Sequence, residues 1–315
     1  MESNDKQFMW VERYRPNKIE DCILPEAIKK TFVDIVKSGT MLNMILSGRA
    51  GVGKTTVARA LCEELDRDML FVSASEQGNI DTIRYQVRQF AGTMSFNGNP
   101  KVVIFDEGDG MTAAAQSALR SFIEEFASNC NFIFTANQKG RIIEPIRESR
   151  LITVDFVVPK EEKAVLARQM LNRCQEILTQ ENVTFDKSDV TQVILRNFPD
   201  MRKVLGELQR YSMSGTLVVD ATGVGDASFA EVIEKMAVKD MVFVRQWVAK
   251  NCENDTSQIF RRLYSNLYEK LVPSTIPDAI VILAKYQHYA TTVANQEINM
   301  MACLIEIALT CEFKK

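Results

Sequence analysis

With 315 residues, 46% of them hydrophobic and 25% charged, the chain has a globular composition and the length for two or three domains, each with its own core; disordered, collagen-like and coiled-coil chains are excluded. Thirty-eight Lys and Arg against 41 Asp and Glu leave a net charge of −3, which offers no support for a general nucleic-acid coat and confines any DNA contact to local positive groups. Seven scattered cysteines without a C-x-x-C pair, and His288 as the single histidine, exclude a Cys/His zinc site and point to reduced, buried thiols.

The opening Met1-Glu2-Ser3-Asn4-Asp5 is acidic and polar, so no signal peptide is expected, and no run reaches the ~18 apolar residues of a membrane span. A cytoplasmic protein with no membrane partner is the expectation. In chain order, β-type apolar runs at Met44–Ser47, Met69–Ser73, Val102–Phe105, Phe132–Thr135 and Ile152–Phe156 alternate with longer segments, most of helical period. That alternation predicts an α/β domain, a mostly parallel sheet covered on both faces. Thr55–Leu65 and Ala113–Phe126 read as two of its helices. After Pro159 the strand signals stop, and helices are predicted over Lys160–Leu178, Ser188–Phe198 and Met201–Met213. Breaks at 214–215 and 223–225 precede five more, over Phe229–Ala237, Met241–Asn251, Gln258–Lys270, Ile276–Tyr289 and Asn295–Cys311. The expected division is 1–156, 157–225 and 226–315.

Gly48-Arg49-Ala50-Gly51-Val52-Gly53-Lys54-Thr55, followed by Thr56, matches G-x-x-x-x-G-K-[ST] between a predicted strand and a predicted helix. Glycines let the backbone wrap close to phosphate, and the N–H groups at the helix start face its charge. Lys54 reaches the β- and γ-phosphates, and the Thr55 hydroxyl can ligate Mg²⁺. The plain alternative is a Gly-rich turn capping a helix, which the strand and helix context disfavours. Val102–Phe105 ends in Asp106 and Glu107: Asp106 can hold the metal's water shell, and Glu107 can orient an attacking water. A strand ending in two exposed acids is common by itself, so the P-loop is what promotes this pair. Asn137, after Phe132–Thr135, is an ordinary turn residue alone, but in a parallel sheet it sits at the carboxyl ends where ligands bind.

Taken in order, Trp10-Val11-Glu12-Arg13-Tyr14-Arg15-Pro16, the P-loop, Asp106-Glu107-Gly108-Asp109, Asn137, Ser149-Arg150 and Asp200-Met201-Arg202 resemble the AAA+ clamp-loader ATPases, and among them the large, ATP-binding subunits of T-even-type bacteriophages. The resemblance covers nearly the whole chain, and its W-V-E-[KR]-Y-R-P opening is the most family-specific piece. It implies a P-loop α/β domain followed by a helical lid and an all-α collar. Residue by residue, it implies that Trp10, Tyr14, Arg15 and Pro16 line the adenine and that Asn137 is the first sensor. Arg202 would be the second sensor, reaching the γ-phosphate from the lid, and Arg150 an arginine finger acting on the neighbouring subunit. Two departures stand out. Leu151 replaces the usual Cys after the finger, and Gly108 occupies a place where a side chain is usual, which is expected to loosen the turn.

The segment from Asn79 to Phe90 reads as a helix with Arg84 and Arg88 four residues apart on one face. Taken alone this is a solvated basic pair; in the family the helix tracks the phosphates of primer–template DNA, and the helix carrying Gln116 and Arg120 links that side to the ATP site. The implied function is ATP-dependent opening of a sliding clamp and its placement on DNA without sequence preference. The implied partners are the clamp, primer–template DNA and further subunits, a homo-tetramer plus one small subunit in a pentameric spiral, with ATP and Mg²⁺ as cofactors. For a phage protein the site of action would be the host bacterial cytoplasm. Other readings are a branch-migration helicase or initiator ATPase, which should lack the Trp10–Pro16 opening, and a non-hydrolysing stator, which has no need of intact Lys54, Thr55, Asp106 and Glu107. A small-molecule P-loop kinase leaves the helical regions after 157 unexplained.

Overall fold

A computed structural model describes residues 8–73, 80–95, 98–148, 151–219, 226–252 and 256–314. Ser149 and Arg150, Asn79 and the glycines at 223 and 225 lie outside these residues. The chain forms two compact units, Met1–Val219 and Asp220–Lys315.

The first unit contains β1 (Met44–Ser47), β2 (Met69–Ser73), β3 (Lys101–Asp106), β4 (Cys130–Ala136) and β5 (Ile152–Asp155) in one sheet of order β2-β3-β4-β1-β5. All pairings are parallel. β1 is buried throughout, as is β3 up to Phe105, whereas the edge strands β2 and β5 are only partly buried, which is why the central strands read as unbroken apolar runs. Alternate residues feed opposite faces. Met44, Leu46, Val102 and Ile104 pack with α2 (Glu26–Ser38) and α3 (Lys54–Glu64). Ile45, Val103 and Phe105 pack with α4 (Ile80–Ala91) and α5 (Ala113–Glu125), where the Phe105 and Phe134 rings stack at 4.7 Å.

A four-residue helix, α1 (Trp10–Arg13), precedes the sheet, and another, α6 (Glu144–Arg147), lies between β4 and β5. The lid is α7 (Lys163–Gln180), α8 (Lys187–Asn197) and α9 (Met201–Tyr211), packed through Leu166, Cys174, Ile177, Val193, Val204 and Leu208. Asp200 starts α9 by accepting the Lys203 N–H at 3.0 Å.

The second unit is all helical: α10 (Asp226–Ala237), α11 (Met241–Asn251), α12 (Thr256–Lys270), α13 (Ile276–Tyr289) and α14 (Gln296–Thr310). Its core centres on Phe229, Trp247, Leu263 and Leu304. Trp247 meets the Phe229 ring edge-on at 5.2 Å and donates its indole N–H to Ser228 at 2.6 Å. Among the described residues no helix is long and apolar enough to cross a membrane.

Candidate active site

β4 lies between β1 and β3, and all three run the same way, so the turns at their carboxyl ends converge on one edge of the sheet. After β1 the chain turns through Gly51 at φ +74° and Gly53 at φ +96°, and α3 begins at Lys54. The three ammonium donors of Lys54 meet three acceptors: the Gly48 carbonyl at 2.6 Å, the Arg49 carbonyl at 2.8 Å and Asn137 Oδ1 at 3.0 Å. Burial lowers the Lys54 pKa from its ordinary value; Asp106 pulls it back up and Arg202 pushes it further down. Asn137 therefore meets Lys54 because the strand before it runs beside the P-loop strand.

After β3, Asp106 Oδ1 accepts two hydroxyls, from Thr55 at 2.8 Å and from Thr135 at 2.6 Å. Glu107 is exposed and holds a left-handed backbone, φ +55°, a conformation that costs a side-chain-bearing residue about 1–2 kcal/mol. Asp109 Oδ2 accepts the Asn137 N–H at 3.1 Å and the Gln138 N–H at 2.9 Å, tying the turn after the acids to the turn after β4. Gly108 does not loosen this turn. It is buried, and a Cβ there would lie 2.9 Å from Phe134 Cδ1, so the missing side chain is what lets the turn close on β4.

The cleft above these groups is walled by the N-terminal arm and the lid. Tyr14, Arg15, Pro16, Gly51, Gly53, Lys54, Thr55, Thr56, Asp106, Glu107, Asn137 and Arg202 all line it. Three of the expected nucleotide residues sit elsewhere. Trp10 is buried in the lid core with Met170, Cys174 and Leu208, and its backbone N–H donates to Gln209 Oε1 at 3.0 Å; it anchors the arm and does not line the cleft. Val52 packs its side chain into the sheet core, and Gly48 contributes its carbonyl to Lys54.

The arm is braced on the lid: Glu181 accepts from both the Tyr14 hydroxyl and, at 2.6 Å, Arg13. Burial, then this bond to Glu181, raises the Tyr14 pKa. The lid in turn meets the P-loop where the Met201 N–H donates to the Gly51 carbonyl at 2.9 Å. Further cleft residues that the motifs did not announce are Cys22, Ile23, Leu24, Thr135, Met170, Arg173 and Ile177. Only Thr135 carried a signal, a polar residue inside an apolar strand run. Burial pushes the Cys22 thiol to about 12, so it is an apolar wall and no nucleophile.

These residues fit a nucleotide. Arg15 lines the cleft with Nε and Nη1 buried and unpartnered while Nη2 reaches Glu12, and the P-loop supplies a glycine-built cradle with Lys54 at its centre. On the other side of the sheet, Arg84 and Arg88 are exposed on α4 above buried Ile83 and Val87. Arg88 pairs with Glu125 of α5 at 3.1 Å, its guanidinium over the Phe122 ring at 5.3 Å. Gln116 is buried at the start of α5, donating to the Met111 and Arg141 carbonyls and accepting the Ile143 N–H at 2.7 Å. Arg120 pairs with Glu124 at 3.5 Å.

Residues 44–160 match the AAA family, ATPases associated with various cellular activities, and residues 162–223 match the family described as the AAA+ ATPase lid domain of the sliding-clamp-loader large subunit. The sliding-clamp-loader large subunit of Escherichia phage RB69 is 36% identical over 98% of both chains, and that of Enterobacteria phage T4 is 35% identical over 99% of both. This chain belongs to the sliding-clamp-loader large-subunit family. It is a nucleotide-binding AAA ATPase of DNA replication. A replication factor C small subunit from Thermofilum pendens is 30% identical over 96% of both chains. The RuvB Holliday junction branch migration motor of Thermotoga maritima superposes with a TM-score of 0.57 over 70% of this chain and 78% of that one; at 14% identity the likeness is one of fold.

Proposed function

We propose that this clamp-loader ATPase opens a ring-shaped sliding clamp and places it on primer–template DNA, with ATP hydrolysed where subunits meet. One observation carries the reading: P-loop, paired acids, Asn137 and the lid's Arg202 border a single cleft, in a chain that aligns end to end with phage clamp-loader subunits. ATP would lie with its phosphates against Lys54 and the N–H groups that open α3, and its base against Tyr14, Arg15 and Pro16. Glu107 would orient a water for attack on the γ-phosphate, while Asn137 and Arg202 steady that phosphate. Thr55 and Asp106 are the residues that would hold Mg²⁺, which when bound neutralises phosphate charge.

Arg150 is assigned to the neighbouring subunit's site and Arg84 and Arg88 to DNA phosphates, with 1–156 as ATP-binding domain, 157–225 as lid and 226–315 as collar. Four such chains and one distinct small subunit in a spiral would let each supply a few positive groups, which accommodates a net charge of −3. A phage chain of this kind would act in the host cytoplasm. The test is ATP turnover by the assembled loader, with and without clamp and primed DNA, for wild type, Glu107→Gln and Arg150→Ala. Both ligands together should stimulate turnover, and both variants should lose it, by about 10³-fold or more for the finger. Full turnover by the isolated chain, with Arg150→Ala unaffected, would overturn the interface site.

A further inference from the structure

Thr135 has no place in the motifs, yet its hydroxyl connects both acids of the site. It is 2% exposed, donates its single proton to Asp106 Oδ1 at 2.6 Å and accepts the Glu107 N–H at 3.1 Å. A hydroxyl has one hydrogen and two lone pairs, so one oxygen can serve both neighbours at once. The bond to the carboxylate is charge-assisted and short, and together with the Thr55 hydroxyl it brings two donors to the same oxygen of Asp106. The bond to the Glu107 N–H acts on the residue whose backbone is left-handed at φ +55°. It satisfies a donor at the point where the strand ladder ends and the strained turn begins. A side chain on β4 can do this because β3 and β4 pair with Phe105 opposite Phe134, which brings Thr135 alongside Asp106.

We propose that Thr135 is a positioning residue for hydrolysis, setting the orientation of the Asp106 carboxylate and the backbone from which Glu107 projects. The inference rests on the reading of Asp106 and Glu107 as the metal-holding and water-orienting acids. Two substitutions separate positioning from packing. Thr135→Val keeps the shape and removes the hydroxyl; Thr135→Ser keeps the hydroxyl and removes the methyl. Removal of a group that orients a ligating carboxylate typically costs about 10–100-fold in metal affinity or activity.

The measurements are kcat and KM for ATP in the assembled loader with clamp and primed DNA. Alongside them runs equilibrium binding of a fluorescent ATP analogue as Mg²⁺ is titrated, which reads the site without turnover. Thr135→Val should lower kcat at least tenfold and raise the Mg²⁺ midpoint severalfold, with Thr135→Ser within about threefold of wild type in both. The reverse order, Val near wild type and Ser impaired, would make Thr135 a packing residue and overturn the proposal; so would equal losses in the two. Glu107→Gln runs beside them. If it hydrolyses ATP like wild type, the reading of the acids fails; if it is dead while Thr135→Val is normal, only the role of Thr135 fails.

Discussion

Glu107, Lys54 and Gly51 each do something that their residue type alone does not dictate. Glu107 carries a side chain in a backbone region suited to glycine, and Thr135 and Gly108 hold it there, one by a hydrogen bond and the other by leaving room for Phe134. Lys54 has its three donors taken by three protein oxygens, so a phosphate would have to replace at least one of them. Gly51 makes a close approach: at φ +74° a Cβ would fall 1.8 Å from Asp200 Oδ1, at the cap of the lid helix that bears Arg202. Gly51→Ala therefore combines about 1–2 kcal/mol of left-handed strain with a collision that pushes the Asp200 carboxylate off its cap on α9. The strain acts on stability, and the collision acts at the start of the helix that carries Arg202 to the cleft, so affinity for an ATP analogue should fall. Titration of the purified chain by fluorescence checks it, and an unchanged affinity would show that the lid need not sit on Gly51.

At the scale of elements, the arm and the lid form one wall of the cleft. Trp10 in the lid core and the bonds of Glu181 to Tyr14 and Arg13 tie the arm to α7 and α9, so Arg15 and Pro16 keep their place through the lid. In the second unit α13 and α14 are joined through Glu306, which accepts from the Tyr286 hydroxyl at 2.7 Å and from Lys285 at 2.9 Å. The Tyr286 bond first, then Lys285, holds the Glu306 carboxyl below its ordinary 4.5. A carboxyl lowered in the folded state contributes stability above its unfolded pKa and loses it as pH falls through the folded one. Glu306→Gln should thus melt below wild type at neutral pH, with the gap closing as pH drops below 4.5. Paired thermal scans across that range would show it, and a gap that persists in acid would mean that packing, not charge, joins the two helices.

For the whole molecule, a net charge of −3 turns DNA binding into a question of where positive groups are left unopposed. Arg88 on α4 is opposed, at 3.1 Å, by Glu125, so its availability to a phosphate depends on a carboxylate of the next helix. The pair is exposed and worth little to stability. Under the proposed DNA role, Glu125→Gln should tighten binding of primed DNA by the assembled loader a fewfold, and Arg88→Ala should weaken it. Each phosphate that is no longer neutralised should reduce the log–log salt slope by about 0.9. Anisotropy titrations at several salt concentrations measure both, and equal affinities for the two variants would remove α4 from the DNA surface.

The amino-acid sequence by itself determined the five strands, β1 and β2 to the residue, because an apolar run bounded by turn residues is a local signal. It also determined the P-loop and the acids after β3, where residue type, spacing and a strand-to-helix context occur together, and most helices to within a turn, since burial of one face imposes a period near 3.6. Only the tertiary structure decided what meets what. The order β2-β3-β4-β1-β5 puts Asn137 beside Lys54 and Thr135 beside Asp106, 83 and 29 residues away in the chain. Tertiary packing also sends Trp10 into the lid, sets Gly108 against Phe134 and pairs Arg88 with Glu125. Periodicity and turn chemistry act over a few residues and can be read along the chain. Partners across the fold depend on strand order and on how faces pack, and no local pattern records those.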